Sequence, residues 1–215
     1  MIALGHRFGL RAEAILTRMD QPLGHAVGNA LEVREAIGVL KGEGPADVIE
    51  VALALGVSLL VTSGAAPSGD VARDGLQRAL ADGSALERFR RSVAAQGGDP
   101  RIVDDPARLP RAPATARALA PRDGWVRRLD AREIGRLVVD LGGGRRTKTD
   151  VVNPAVGVVL NLKVGDAVAA GERLATVYAA TPEAAQAAAK RLAAIYVMGP
   201  ERPSLPALVV KHVRG

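Results

Sequence analysis

The stretch QPLGHAVGNALEVREAIGVLK, residues 21–41, decides how the chain is read. Pro22 and Gly24 break whatever strand precedes them. Gly28 and Asn29 allow a second sharp bend, since both residue types tolerate unusual backbone angles. Ala30, Val33, Ile37 and Leu40 then recur at helical spacing and form one apolar stripe. Glu32 and Glu35 lie off that stripe in the first turns, where the helix dipole favours a carboxylate. Lys41 and Gly42 close the helix with a cation and a glycine. Two readings stay open: a well-capped surface helix after a turn, or a loop of free carbonyls that holds a hard cation with a helix-borne glutamate.

Upstream, residues 1–10 read as the end of a helix capped by Gly9, and residues 11–19 as a short strand with Ala14, Ile15 and Leu16 buried. Helix then strand is the rhythm of an α/β unit, which places residues 20–29 beyond a strand end, where open sheets bind ligands. Downstream, Pro45 takes the first-turn position of a helix that is apolar on most sides and expected to be buried between layers. An amphipathic helix over residues 70–81 points Val71, Leu76 and Leu80 inward. Ser84 and Glu87 form a capping-box pair for the next helix, and Gly97 and Gly98 end it. The first hundred residues thus hold one strand and about five helices. One strand makes no sheet, so this part is helical or pairs with chain not present here.

Residues 99–121 carry five prolines and read as a linker or extended wrap, with the domain boundary near 110–120. The second half reads as a small α+β domain. It has strands over 124–129, 156–162 and 173–178, and a strand-like run over 208–213. Its helices are capped by Asp130 and by Thr181 with Pro182. The fold class expected is therefore α/β: the C-terminal part of a mixed α/β domain over residues 1–112, mostly helices plus one strand, followed by an α+β domain over 113–215.

The chain has 215 residues, 48% of them hydrophobic, enough to bury a sizeable core. Its net charge of +6 is spread along the chain with acidic residues between, and five residues are aromatic, so a nucleic-acid partner is not expected. No cysteine is present, which removes disulfides, thiolate zinc sites and a cysteine nucleophile. No apolar run reaches a membrane span and no signal-peptide order opens the chain, so no membrane partner and a cytoplasmic location are expected. Gly142, Gly143 and Gly144 with Arg145, Arg146 and Lys148 could cradle a phosphate, but they follow a helix rather than open one, and a solvent-exposed turn is the simpler reading. His6, His25 and His212 are far apart, and no Ser/His/Asp set or zinc motif can be assembled. The residues themselves name no reaction.

The run VGVVLNLKVGDAVAAGERLATV, residues 156–177, resembles the biotinyl/lipoyl barrel-sandwich pattern. A carrier lysine would stand at a hairpin tip, whereas Lys163 is followed by the Val-Gly-Asp turn that comes after such a hairpin.

QPLGHAVGNALEVREAI with LKGEGPADVIEVALALG, then AAQGGDPRIVDD, DAREIG, DLGGGRR and NPAVGVVLNLKVGDAVAAGERLATVYA, closely resembles the pyrimidine-nucleoside phosphorylase/thymidine phosphorylase family, over about its C-terminal half. The resemblance implies reversible phosphorolysis. Phosphate attacks the anomeric carbon of a pyrimidine nucleoside as the base departs, giving free base and pentose 1-phosphate through a transition state of oxocarbenium character. It implies a cleft between an α domain and an α/β domain, closed by a hinge, and a homodimer as the complete enzyme. The family's Lys-His-Ser-Thr-Gly-Gly phosphate loop does not occur in this sequence, and neither does its base-gripping arginine, serine and lysine set, so no catalytic or substrate-binding residue is nominated. The resemblance further implies that the missing N-terminal half holds the sheet partners of the lone strand. The chain alone is then expected to be inactive, or to be one subunit of a split enzyme; a non-catalytic binding module on the barrel-sandwich half is the other possibility. One family site carries over: the resemblance implies a structural potassium ion held by the main-chain oxygens of Leu23 and Ala26 and the carboxylate of Glu35. Its further ligands come from the phosphate loop that does not occur in this sequence, so the site is expected to be incomplete in this chain; no organic cofactor is implied.

Overall fold

The computed structural model describes residues 2–214; Met1, within the expected opening helix, and Gly215 lie outside the described residues. The first half runs α1 (Ile2–Arg7), β1 (Glu13–Thr17), β2 (Ala26–Val27), α2 (Asn29–Leu40), α3 (Ala46–Thr62), α4 (Gly69–Ala81) and α5 (Ser84–Ala95). Two 3-10 turns follow, at Pro100–Val103 and Pro106–Arg108. The second half runs β3 (Ala114–Leu119), β4 (Gly124–Leu129), α6 (Ala131–Asp140), β5 (Gly157–Leu160), β6 (Ala167–Val168), β7 (Arg173–Ala179), α7 (Pro182–Ile195), β8 (Tyr196–Gly199) and β9 (Val209–Arg214). The mixed α/β class holds, with several antiparallel sheets.

The chain forms two compact units. One takes in the chain up to Arg18, Ile37–Pro100 and the chain from Ala207; the other takes in Met19–Ala36 and Arg101–Pro206. This division differs from the single boundary expected between residues 112 and 113. Strand pairing is the reason: β2 pairs with β5, while β9 returns to β1, so segments far apart in sequence share a unit.

In the first unit, β1 pairs antiparallel with β9, with Ala14 opposite Val213 and Ile15 opposite His212. The strand expected to find its partner outside this chain therefore has one inside it. Position in the sequence alone assigns the run at 208–213 to the C-terminal domain it follows; pairing brings it back to β1 instead. Ala14 and Ile15 are only half-buried and Leu16 is 50% exposed, because a two-stranded ribbon offers little cover. Ser58 of α3 donates a hydrogen bond to Glu13 of β1 at 2.6 Å. The same thin sheet explains α3. Expected to be buried on most sides, it buries Leu53 and leaves Leu55 and Leu59 exposed. Pro45 is its N-cap in extended backbone rather than its first helical residue. Ser68 caps α4 by accepting the Val71 amide, which leaves the Val71 side chain half-exposed instead of inward; Ala72 is the buried residue there. Gly83, with φ at 77°, takes the cap of α5, so Ser84 is already helical and Glu87 pairs with Arg90 at 3.0 Å instead of closing a capping box.

The second unit holds two antiparallel sheets, β2-β5-β7-β3 and β6-β4-β8. Val126 and Leu129 of β4, Ile134 and Leu137 of α6, Leu174 and Val177 of β7 and Leu192 of α7 share one core. Asp130 caps α6 by accepting the amides of Arg132 and Glu133, and Thr181 caps α7 by accepting that of Ala184, as their sequences predict. The proline-rich stretch read as a linker contains β3. Ala114, Ala116 and Ala118 are buried while Thr115, Arg117 and Leu119 are exposed, an alternation written in side chains too small to signal a strand. Val103, in the first 3-10 turn, is fully buried.

Tyr196 locks this core at the end of α7. Its buried hydroxyl donates toward the carbonyls of Leu162 and Leu174, each at 3.0 Å, and burial pushes the phenol's ionisation up, with the Asp166 charge adding to it. Tyr196→Phe is expected to lower stability by about 1 kcal/mol, the net value of one such bond, because the Leu174 carbonyl keeps the Asn161 amide and only Leu162 is orphaned. Urea denaturation checks this.

Candidate functional site

Residues 20–36 fold as a short loop, the two-residue strand β2 and the first two turns of α2. Gly24 turns the loop with φ at 69°. Gly28 turns it again, with φ at 139°, where a Cβ would lie 2.5 Å from the Val156 carbonyl oxygen. Asn29, expected to share that bend, has an ordinary backbone and opens α2; its side-chain amide donates to the Gly143 carbonyl at 2.9 Å. Ala30 and Ile37 of the predicted stripe are buried, Val33 and Leu40 half-buried, and Leu31 joins them.

The two glutamates of α2 hold the loop. Glu32 accepts the Gly28 amide at 2.9 Å, which closes the helix start. Glu35 Oε1 accepts two amides, those of His25 at 2.8 Å and Ala26 at 3.0 Å. His25 is fixed from the other side: its Nδ1–H donates to the Leu160 carbonyl at 2.9 Å, and its own carbonyl accepts the Leu160 amide at 2.8 Å. Gln21 accepts the Val164 amide at 3.0 Å. The loop is thus a built element tied to β5, to the β5–β6 turn and to its own helix.

The strand pairing of the loop sets where its main-chain oxygens point. Ala26 stands opposite Val159, and antiparallel pairs alternate in hydrogen bonding, so the amide and carbonyl of Ala26 point away from β5. The amide reaches Glu35, and the carbonyl emerges on the same edge. Glu35 Oε2 has no bonding partner among the described residues. Leu23 is exposed in the bend before, with only main-chain oxygen to offer. Oxygen donors alone, one of them charged, form the set that alkali and alkaline-earth ions take. No cluster of three His, Cys, Asp or Glu side chains exists among the described residues, so zinc-type sites find no ligands there.

The other sequence candidates resolve into structure. In the glycine–arginine turn, Arg146 and Arg191 both pair with Asp140, whose carboxyl they hold below the usual aspartate range, Arg191 foremost. Asp150 accepts the amides of Arg146 and Thr147, and the amides of Gly142 and Gly143 donate to the carbonyls of Val139 and Val138, so four of the turn's backbone donors are already used. Lys163 lies half-buried in the β5–β6 turn, its amide donating to Asp166 at 2.7 Å, beside buried Val164. A cavity of about 190 Å³ lies between α2 and the start of β3, lined in part by Arg34, Arg111 and Tyr178. Sequence reasoning missed it, since these residues meet only through the β3–β7–β5 pairing. No helix among the described residues is long and apolar enough to cross a membrane.

Residues 125–199 match the family described as the pyrimidine nucleoside phosphorylase C-terminal domain. The chain is 48% identical over 178 residues to a pyrimidine-nucleoside phosphorylase of Geobacillus stearothermophilus, covering 83% of this chain and 41% of the relative. It is 46% identical over 179 residues to that of Bacillus subtilis and 44% identical over 183 residues to that of Staphylococcus epidermidis. The chain spans about two fifths of the length of these relatives. The 48% match and the domain match agree with the collinear motifs of residues 21–179, and the chain belongs to the pyrimidine-nucleoside phosphorylase family, of which it spans the C-terminal part.

Proposed function

We propose that this chain is the C-terminal part of a pyrimidine-nucleoside phosphorylase and supplies one wall of its nucleoside cleft. The observation that carries the reading is the 44–48% identity to three such enzymes across 83–85% of the chain. In the reaction, a phosphate oxygen bonds to the anomeric carbon, the glycosidic C–N bond breaks, and the base leaves with the electron pair. The products are free pyrimidine and pentose 1-phosphate. The role of this chain is to hold the loop beside the cleft rigid. Leu23 and Ala26 through their carbonyls and Glu35 through its free oxygen would hold a potassium ion, which supplies fixed positive charge near bound phosphate. Phosphate and base are gripped by the N-terminal part of the enzyme, supplied as a second polypeptide or as the rest of the same protein, and the complete enzyme is a homodimer.

The test is phosphate-dependent release of thymine from thymidine, or uracil from uridine, by the purified chain alone and mixed with the N-terminal part of a relative. No turnover alone and turnover on mixing is the expected result. Robust turnover by the chain alone overturns the assignment of substrate binding to the other part. No turnover in the mixture, with complex formation shown by sedimentation, overturns the functional reading itself.

A further inference from the structure

We propose that the cavity lined by Arg34, Arg111 and Tyr178 binds a phosphate group, either the inorganic ion or the phosphate of a small ester. All of its lining residues lie in the second unit, and none is acidic. Arg34 projects from α2, where its neighbours three and four positions away are Ala30, Leu31, Ile37 and Gly38, so no carboxylate stands within reach along the helix. Arg111 sits in the sequence Pro110-Arg111-Ala112-Pro113. Pro110 and Pro113 each lock a backbone angle and Pro113 holds Ala112 extended, so the segment is ordered before any ligand arrives. Several other arginines here are neutralised: Arg90 by Glu87, Arg108 by Asp105, Arg136 by Glu133, and Arg146 and Arg191 by Asp140. Among the described residues neither Arg34 nor Arg111 has a carboxylate partner.

Tyr178 supplies the third polar group. On β7, Val177 and Ala179 are fully buried, and the alternation of the strand sends Tyr178 to the opposite face. There it is half-buried, and its hydroxyl bonds to no described residue. Its cross-strand neighbour on β5 is Gly157, so no side chain fills the space on that side of the ring. Leu31, Pro110 and Ala155 give the remaining wall apolar cover. Two guanidinium groups and a hydroxyl beside apolar walls favour an anion rich in acceptors, and the planar guanidinium fork matches phosphate oxygens in pairs. The volume sets the size of the ligand. At about 190 Å³ it is below the range of pockets for drug-sized molecules, so it admits a phosphate with a few further atoms and not a nucleotide.

The test is titration of the 215-residue chain by isothermal calorimetry at fixed ionic strength with inorganic phosphate, with ribose 5-phosphate as the ester and with chloride as the reference. Saturable one-to-one phosphate binding is expected. Arg34→Gln and Arg111→Gln should each weaken it at least ten-fold, Tyr178→Phe should weaken it a few-fold, and Arg132→Gln on α6 should leave it unchanged. Circular dichroism shows that each variant is folded, so a lost site is not mistaken for a lost fold. Tighter binding of the ester than of the ion assigns the site to a phosphorylated metabolite; equal or weaker binding assigns it to inorganic phosphate. Absence of saturable binding in the unaltered chain, or wild-type affinity in both arginine variants, overturns the proposal. The test measures binding without turnover, so its outcome is independent of whether phosphorolysis is found.

Discussion

Gly157→Ala is expected to destabilise the second unit by about 3 kcal/mol, with a matching fall in the denaturant midpoint. Gly157 has φ at +156°, and a Cβ there would stand 2.3 Å from the Val27 carbonyl oxygen and 2.9 Å from the Leu31 side chain. Both obstacles are fixed. The carbonyl belongs to β2, whose register on β5 is set by Ala26 opposite Val159 and Val27 opposite Val158. Leu31 is buried on α2. The strand must therefore move away, and the loop tied to it by His25 moves as well. Gly28→Ala meets the same contact from the other side, at 2.5 Å from the Val156 carbonyl oxygen, and should cost a similar amount. Gly135→Ala is the control. It lies within α6, where an added methyl would meet nothing within 4 Å, and it should be neutral or stabilising by up to about 1 kcal/mol, as alanine is the better helix former. An unchanged midpoint for Gly157→Ala would show that β2 and β5 do not approach this closely in solution.

Glu35→Ala is expected to lose about 2 kcal/mol, because two part-buried amides, those of His25 and Ala26, lose a charged acceptor at once. Hydrogen exchange should accelerate at those two amides before it does elsewhere in the unit. Glu35→Gln retains an oxygen at Oε1 and should lose about half as much, since the bonds persist without the charge. Glu32→Ala, which removes a single bond to Gly28 from an exposed side chain, should have the smallest effect of the three. The same series separates clamp from ion site. For the proposed ion site, potassium titrated against the chain mixed with the N-terminal part of a relative should raise the melting temperature of the complex, and Glu35→Gln should abolish the rise while keeping most of the fold. Undisturbed exchange at His25 and Ala26 in Glu35→Ala would remove the clamp from the account.

Local signals in the sequence translate directly into structure. The glycine turns at 24 and 28, the acidic start of α2, the caps at Asp130 and Thr181, and the strand at Gly124–Leu129 all depend on residues within a few positions of one another. Strand β3 escapes such reading because its buried face is three alanines set among prolines and arginines. The capping box at Ser84 fails because Gly83 adopts a left-handed backbone and takes the cap position itself. The exposure of Leu55 and Leu59 is not legible either, since an apolar sequence states how much a helix can bury and not how much its neighbours can cover.

For the candidate site the division is sharper. Sequence alone determined the family through its collinear motifs and the loop–helix element at residues 21–41, because spacing and residue type carry that information. The assignment of Leu23, Ala26 and Glu35 to an ion rests on the family resemblance and stays a proposal. Tertiary structure alone decided that Glu35 clamps His25 and Ala26, that β9 pairs with β1, and that Arg34, Arg111 and Tyr178 line one cavity. The last two depend on strand pairing between segments as much as about 200 residues apart, whose register no local pattern sets, and the clamp depends on the way the loop folds back onto its own helix, which residue spacing does not state.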